Sequence, residues 1–141
     1  MTDPYNLERF VDAQDTHGTY ERAASELRAG QKVSHWMWFI FPQVAGLGHS
    51  STSRAFAISS LAEARAYLRH PILGPRLTKC AQLVMGIDGK SAIEIFGTID
   101  ATKLRSCMTL FTSAAPDEPA FRAVLDKYFN GAPDETTIER L

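Results

Sequence analysis

The segment GQKVSHWMWFIFPQVAGLGHS, residues 30–50, decides how this chain must fold, because it holds both of its tryptophans. As a β-strand, the central part of the segment would be apolar on both faces and would need a neighbouring strand on each side. No stretch outside residues 33–41 alternates with a period of two over five residues, so the sequence supplies no such neighbours. We therefore predict a short buried helix or an extended core segment that ends at Pro42.

On either side of this segment, the sequence is punctuated by residues that begin and end helices. Ser60 with Glu63, and Ser91 with Glu94, match the capping-box pattern. Left-handed helix ends are predicted at Gly30 and at Asn130 with the following glycine. The remaining predicted helix starts are Asp3 with Pro4, Thr19, His70 with Pro71, Asp100, Asp117 and Asp134. This punctuation predicts an all-α protein with a single compact multihelical domain over residues 1–141.

Composition excludes several classes of function. The chain has 141 residues with a net charge of −1 and a pI of about 6.4, so no global field attracts nucleic acid or an anionic membrane. We expect no nucleic-acid partner and no membrane association. No apolar run approaches the roughly 18 residues of a membrane-spanning helix.

Cysteine usage and the N-terminus indicate a compartment. The start, MTDPYNLERF, lacks the basic and apolar regions of a signal peptide. Cys80 and Cys107 are far apart in sequence and form no CxxC motif, so we expect free thiols and no metal site. A cytoplasmic location is the resulting expectation.

Residues 32–50 admit two interpretations. Clustered tryptophan and phenylalanine side chains most often form a core. The polar residues among them, beside a Gly- and Ser-rich loop, are instead typical of a small-molecule pocket. His35 is the candidate catalytic acid or base, because an imidazole titrates near neutral pH. The candidate ligand-binding residues of this segment are Lys32, Trp36, Trp38, Gln43, His49 and Ser50.

A second candidate group lies in FGTIDATKLRSCMTLF. Asp100 and Lys103 are one helical turn apart, and a helix N-terminus favours anions. Asp100 and Lys103 are therefore added to the ligand-binding candidates, with Lys32 and Lys103 as the partners of an anion and Trp36 or Trp38 as a stacking wall. The sequence contains no HExxH, P-loop, GxSxG or GxGxxG motif.

Three strings of the sequence, SHWMWFIFPQ, YLRHPILGPRL and IFGTIDATKLRSCMTLF, carry a family resemblance. With them, the chain from about residue 5 onward resembles the family labelled domain of unknown function 1810, some of whose members bear the name calpastatin. The resemblance implies a single, mostly helical domain and implies no activity or cofactor. The calpastatin name has no support here, because the chain has no extended disordered repeat.

Three functional hypotheses follow. The first is a protein that binds a small planar or phosphorylated ligand between residues 32–50 and the helix expected to begin at Asp100. The second is a non-catalytic interaction module, either monomeric or homodimeric. The third, a glycosidase acting on ADP-ribose-type compounds, rests on a distant similarity and lacks the histidine expected next to Glu63.

Overall fold

The structure, a computed structural model, describes residues 3–141. It confirms the all-α class, and no β-strand occurs in this range. Residues 1 and 2, which the predicted domain 1–141 includes, lie outside the described residues. The helices are α1 (Glu8–Asp15), α2 (Thr19–Ala29), α3 (Met37–Ile40), α4 (Ser51–Ala55), α5 (Leu61–Arg69), α6 (Leu73–Met85), α7 (Ala92–Phe96), α8 (Thr98–Ala114), α9 (Pro119–Phe129) and α10 (Glu135–Glu139), and a 3₁₀ turn (Thr16–Gly18) joins α1 to α2.

Helix α8 forms the centre of the domain. It packs against α5, α7, α9 and α10, while α6 packs against α2, α5 and α9. Because α8 has neighbours on most sides, its apolar side chains are buried around much of its circumference. The fully buried residues of α8 include Leu104, Cys107, Met108, Leu110 and Phe111.

Several predicted helix ends are confirmed by capping hydrogen bonds or by the backbone conformation. The Ser91 hydroxyl accepts from the backbone N–H of Glu94, whose carboxylate accepts from the N–H of Ser91, which completes a capping box. Asp134 caps α10 by accepting from the Thr137 N–H. Asn130 ends α9 in the left-handed conformation at φ 54°.

Other predicted helix starts are corrected by the structure. Helix α1 begins at Glu8 instead of Pro4, and the N-cap of α2 is Gly18 in place of Thr19. Helix α8 begins at Thr98 after Gly97, which has no capping side chain, so Asp100 lies in the first turn instead of capping it. Helix α9 is capped by Glu118 in place of Asp117. Ser60 caps α5 as predicted, but its box is incomplete, because the Glu63 carboxylate bonds to Ser59.

The Arg9 guanidinium joins α1 to the chain that follows α4. Its Nε donates to the Ala55 carbonyl at 2.8 Å, and its Nη2 donates to the Ala57 carbonyl at 2.8 Å and to Glu63 Oε2 at 3.0 Å. The Glu63 side chain is only 3% exposed, so Arg9 neutralises a carboxylate that has almost no access to water. The Arg9 side chain therefore ties α1 to the end of α4 and to the first turn of α5.

Both cysteines are buried free thiols on helices, as predicted. Burial raises the pKa of the Cys80 thiol to about 12 and raises that of Cys107 well above its ordinary value. Neither thiol is in the reactive thiolate form at neutral pH. Among residues 3–141, no helix is both long and apolar enough to cross a membrane.

Candidate functional site

The segment that leads from α2 into α3 is fixed by one carboxylate. Glu26 Oε1 accepts from the backbone N–H groups of Val33 and Ser34 at 2.7 and 2.9 Å and from Trp36 Nε1 at 2.9 Å. Its Oε2 accepts from the Ser34 hydroxyl at 2.6 Å. The Lys32 N–H also donates to the Ile95 carbonyl at 2.8 Å, which attaches the segment to α7. These bonds hold residues 32–36 in one conformation.

The charge state of Glu26 follows from these four donors. Partial burial by itself raises the pKa of this carboxyl, but the hydrogen bonds from Ser34, Val33 and Trp36 stabilise the ionised form more strongly. The pKa of Glu26 therefore falls from 4.5 to about 2. At neutral pH, a fully ionised carboxylate organises the start of the aromatic segment.

The structure places Trp36 in the core, in contrast to its prediction as a ligand-binding residue and stacking wall. Its side chain is 1% exposed, because the bond to Glu26 draws the indole N–H inward and the ring packs beside Phe41. The core interpretation of the aromatic segment therefore holds for Trp36.

Trp38, in contrast to Trp36, is not part of the fully buried core. It is half-buried, and its indole N–H donates to the Ser53 hydroxyl at 3.3 Å. Ser53 is held in turn by Ser50, the N-cap of α4, at 2.8 Å. The Lys103 ammonium lies 5.0 Å from the centre of the Trp38 ring, within the range of a cation–π interaction. Trp38 is thus a fixed aromatic wall that reaches the surface.

Two lysines converge on Asp100 beside this wall. Lys32 Nζ lies 2.8 Å from Asp100 Oδ2, and Lys103 Nζ lies 3.6 Å from Asp100 Oδ1. The Lys32 side chain is only 7% exposed, and its ammonium also donates to the Ser34 carbonyl at 2.7 Å. Two cations share one carboxylate, so the cluster carries an excess of one positive charge.

We call the depression above this cluster the cationic cleft. Its volume is about 410 Å³. The first turn of α8 forms one side of it, and helix N-termini favour negatively charged groups. The residues that line the cleft are Lys32, His35, Met37, Trp38, Phe96, Gly97, Thr98, Ile99, Asp100 and Lys103.

A smaller and more enclosed cavity shares Trp38 with the cleft. We call it the ring cavity; its volume is about 150 Å³. A methyl group on Gly48 would lie 2.5 Å from the Ser53 Cβ, so the loop can run this close to α4 only with glycine there. The lining residues are Trp38, Phe41, Gln43, Val44, Ala45, Gly46, Gly48, Ser53, Arg54, Phe56 and Ala57.

The structure brings most of the predicted site residues together. Five of them line the cationic cleft, namely Lys32, His35, Trp38, Asp100 and Lys103. Gln43 lines the ring cavity. His49 and Ser50 are exposed and line neither space, and Ser50 acts on the site only through Ser53.

Sequence reasoning missed Arg54, a basic side chain on the wall of the ring cavity. A signal was present: Arg54 is the only lysine or arginine between Lys32 and Arg65, and it follows the Gly- and Ser-rich loop. The apolar residues Met37, Phe96 and Ile99 of the cleft were also missed. Nothing in the local sequence separates them from ordinary core positions.

The cleft offers no cluster of metal-binding side chains. Within residues 3–141, no three histidine, cysteine, aspartate or glutamate residues lie close enough together to hold a metal ion. The groups that the cleft offers to a ligand are the lysine ammoniums, the Trp38 ring, over which the Lys103 ammonium lies, and the exposed His35 imidazole.

Comparisons with known proteins agree with this fold. The family model described as "Protein of unknown function (DUF1810)" matches residues 4–141. The crystal structure of a conserved hypothetical protein from Mycobacterium tuberculosis is similar, with 50% sequence identity, a TM-score of 0.95, and coverage of 99% of this chain and 98% of that one. A comparison with curated proteins found no match. This chain therefore belongs to the DUF1810 family, as the three sequence strings indicated.

Proposed function

We propose that this protein binds a small anionic ligand that carries a planar group, with the anion in the cationic cleft and the planar group beside Trp38. The observation that carries the proposal is the pairing of two lysines with one carboxylate beside Trp38. Lys32 and Asp100 neutralise each other at 2.8 Å, which leaves the charge of Lys103 available to an anion. An aromatic wall with a few convergent polar groups is the usual composition of a ligand site.

His35 is the residue we propose for proton transfer if the bound ligand reacts. Its side chain is exposed and lines the same cleft as the two lysines. An imidazole can accept a proton at one ring nitrogen and can donate a hydrogen bond to a phosphate from the other. The proposal assigns His35 this role without naming a reaction.

Thermal unfolding in the presence of pyrophosphate and of nucleoside mono- and diphosphates tests the binding. A ligand at 100 times its Kd stabilises the folded state by about 2.7 kcal/mol, which raises the Tm by several degrees in a domain of about 140 residues. Lys103→Met retains the aliphatic stem and removes the excess charge, so we expect it to abolish the shift.

Lys79→Met is the matched control. Lys79 is exposed on α6 and does not line the cleft, so the variant changes the net charge equally without touching the site. It should retain the full ligand-induced shift. Equal loss in both variants, or no shift of the wild-type protein with any compound, would contradict the proposal.

A further inference from the structure

The ring cavity has the size of one six-membered aromatic ring. Its volume of about 150 Å³ equals that of an engineered protein cavity known to bind benzene. Phe41 and Phe56 line it together with Trp38, and Phe56 is held by an edge-to-face contact with Phe39 at 4.8 Å. The aromatic walls therefore suit a flat ring, and their packing limits how far the cavity can expand.

The same cavity presents polar groups to the edge of such a ring. The backbone carbonyl of Gln43 accepts a hydrogen bond from the Ile58 N–H at 2.8 Å. Gln43 lines the cavity, and its carboxamide takes part in none of the side-chain hydrogen bonds among the described residues. A carboxamide offers a donor and an acceptor side by side, which matches the edge of a heteroaromatic ring that carries an amide or amidine group. Arg54 adds a second donor on the same wall.

The ring cavity and the cationic cleft are adjacent, because Trp38 is a wall of both. A ligand with a ring in one space and an anion in the other would contact both Gln43 and Lys103. The Lys103 ammonium lies 5.0 Å above the indole and occupies the place where a ring could stack from the cleft side. The ring is therefore better accommodated in the smaller cavity.

We infer that the ligand is a phosphorylated compound with a single six-membered heteroaromatic ring, such as a pyrimidine or pyridine nucleotide, and that two-ring bases are excluded. This inference rests on the proposed function and adds the size and hydrogen-bonding pattern of the ring. The ring enters the ring cavity against Gln43, and the phosphate binds at Lys103 in the cleft.

Calorimetric titration of the wild-type protein with five probes tests the inference. The probes are uridine, cytidine, adenosine and guanosine 5′-monophosphates and ribose 5-phosphate. We expect at least tenfold tighter binding of the two pyrimidine nucleotides than of the two purine nucleotides and of ribose 5-phosphate. Equal binding of purine nucleotides, or of ribose 5-phosphate, would overturn the inference and leave the proposed function standing, whereas no binding by any probe would overturn both.

Two variants locate the ring. Ala57→Leu fills the ring cavity and leaves the lysines in place, so pyrimidine nucleotides should then bind no better than ribose 5-phosphate. Gln43→Leu conserves the side-chain size and removes the hydrogen bonds to the ring edge; it should weaken uridine 5′-monophosphate about tenfold and leave ribose 5-phosphate unchanged. Gln43→Leu decides the question if Ala57→Leu fails to fold, and unchanged pyrimidine affinity in a folded variant would overturn the inference.

Discussion

Replacing Glu26 with glutamine should destabilise the protein in a pH-dependent way. A fall in pKa from 4.5 in the unfolded chain to about 2 in the folded protein corresponds to about 3 kcal/mol at roughly 1.4 kcal/mol per pH unit. This value is an upper bound, because the carboxylate is partly exposed and solvent screens it. We therefore expect Glu26→Gln to lower the free energy of unfolding by about 2 kcal/mol at pH 7, a typical magnitude for hydrogen bonds to a charged group.

The sign of the pH dependence follows from the direction of the shift. A carboxyl with a depressed pKa stabilises the folded state fully above its unfolded pKa of 4.5, and loses that contribution as the pH falls toward 2. The wild-type protein should therefore lose its advantage over Glu26→Gln in this window. Urea unfolding at pH 7 and pH 3, followed by tryptophan fluorescence, measures the difference.

Glu21→Gln is the matched control, because Glu21 is an exposed residue of the same helix. It should change the free energy of unfolding by a few tenths of a kcal/mol at either pH, as for a surface substitution. The reasoning is refuted if Glu26→Gln is as stable as Glu21→Gln at pH 7. It is also refuted if the loss in Glu26→Gln is the same at pH 3 as at pH 7.

Two further predictions concern the core. Gly74→Ala adds a Cβ that would lie 2.1 Å from the backbone carbonyl oxygen of Leu68. Urea unfolding should therefore show a free energy of unfolding that is lower by about 1–3 kcal/mol. The control Gly86→Ala, whose added Cβ has no contact closer than 3.5 Å, should leave the free energy of unfolding nearly unchanged. Burial raises the pKa of Cys80 to about 12 and that of Cys107 well above its ordinary value. Neither thiol should therefore react with an aromatic disulfide reagent at pH 8 until urea unfolds the protein. Rapid labelling of the folded protein would contradict this prediction.

Local signals in the sequence predicted the helices well. The Ser91–Glu94 capping box and the Asp134 cap each depend on residues within one turn, so the sequence contains all the information they need. The same rule predicts Asp100 as a cap, but the backbone turns into the helix at Gly97, three residues before Asp100. A glycine start has no side-chain signature that competes with a nearby aspartate.

The site was harder to predict, because its organisation is non-local. Trp36 and Trp38 are equivalent in the sequence pattern, and the difference between them arises from Glu26, ten positions before Trp36 and on another helix. The convergence of Lys32 and Lys103 on Asp100 depends on how the start of α8 packs beside residues 32–38. Residue types identified the participants, and tertiary packing alone assigns them to the core or to the cleft.

Arg9 has a consequence for how the ring cavity can move. Its guanidinium bonds to the carbonyls of Ala55 and Ala57, which flank Phe56, and two of these three residues line the cavity. The wall of the cavity cannot swing outward unless these bonds to α1 break and the buried carboxylate of Glu63 loses its counter-ion. Local opening at this wall therefore belongs to the same cooperative unit as the N-terminal helix.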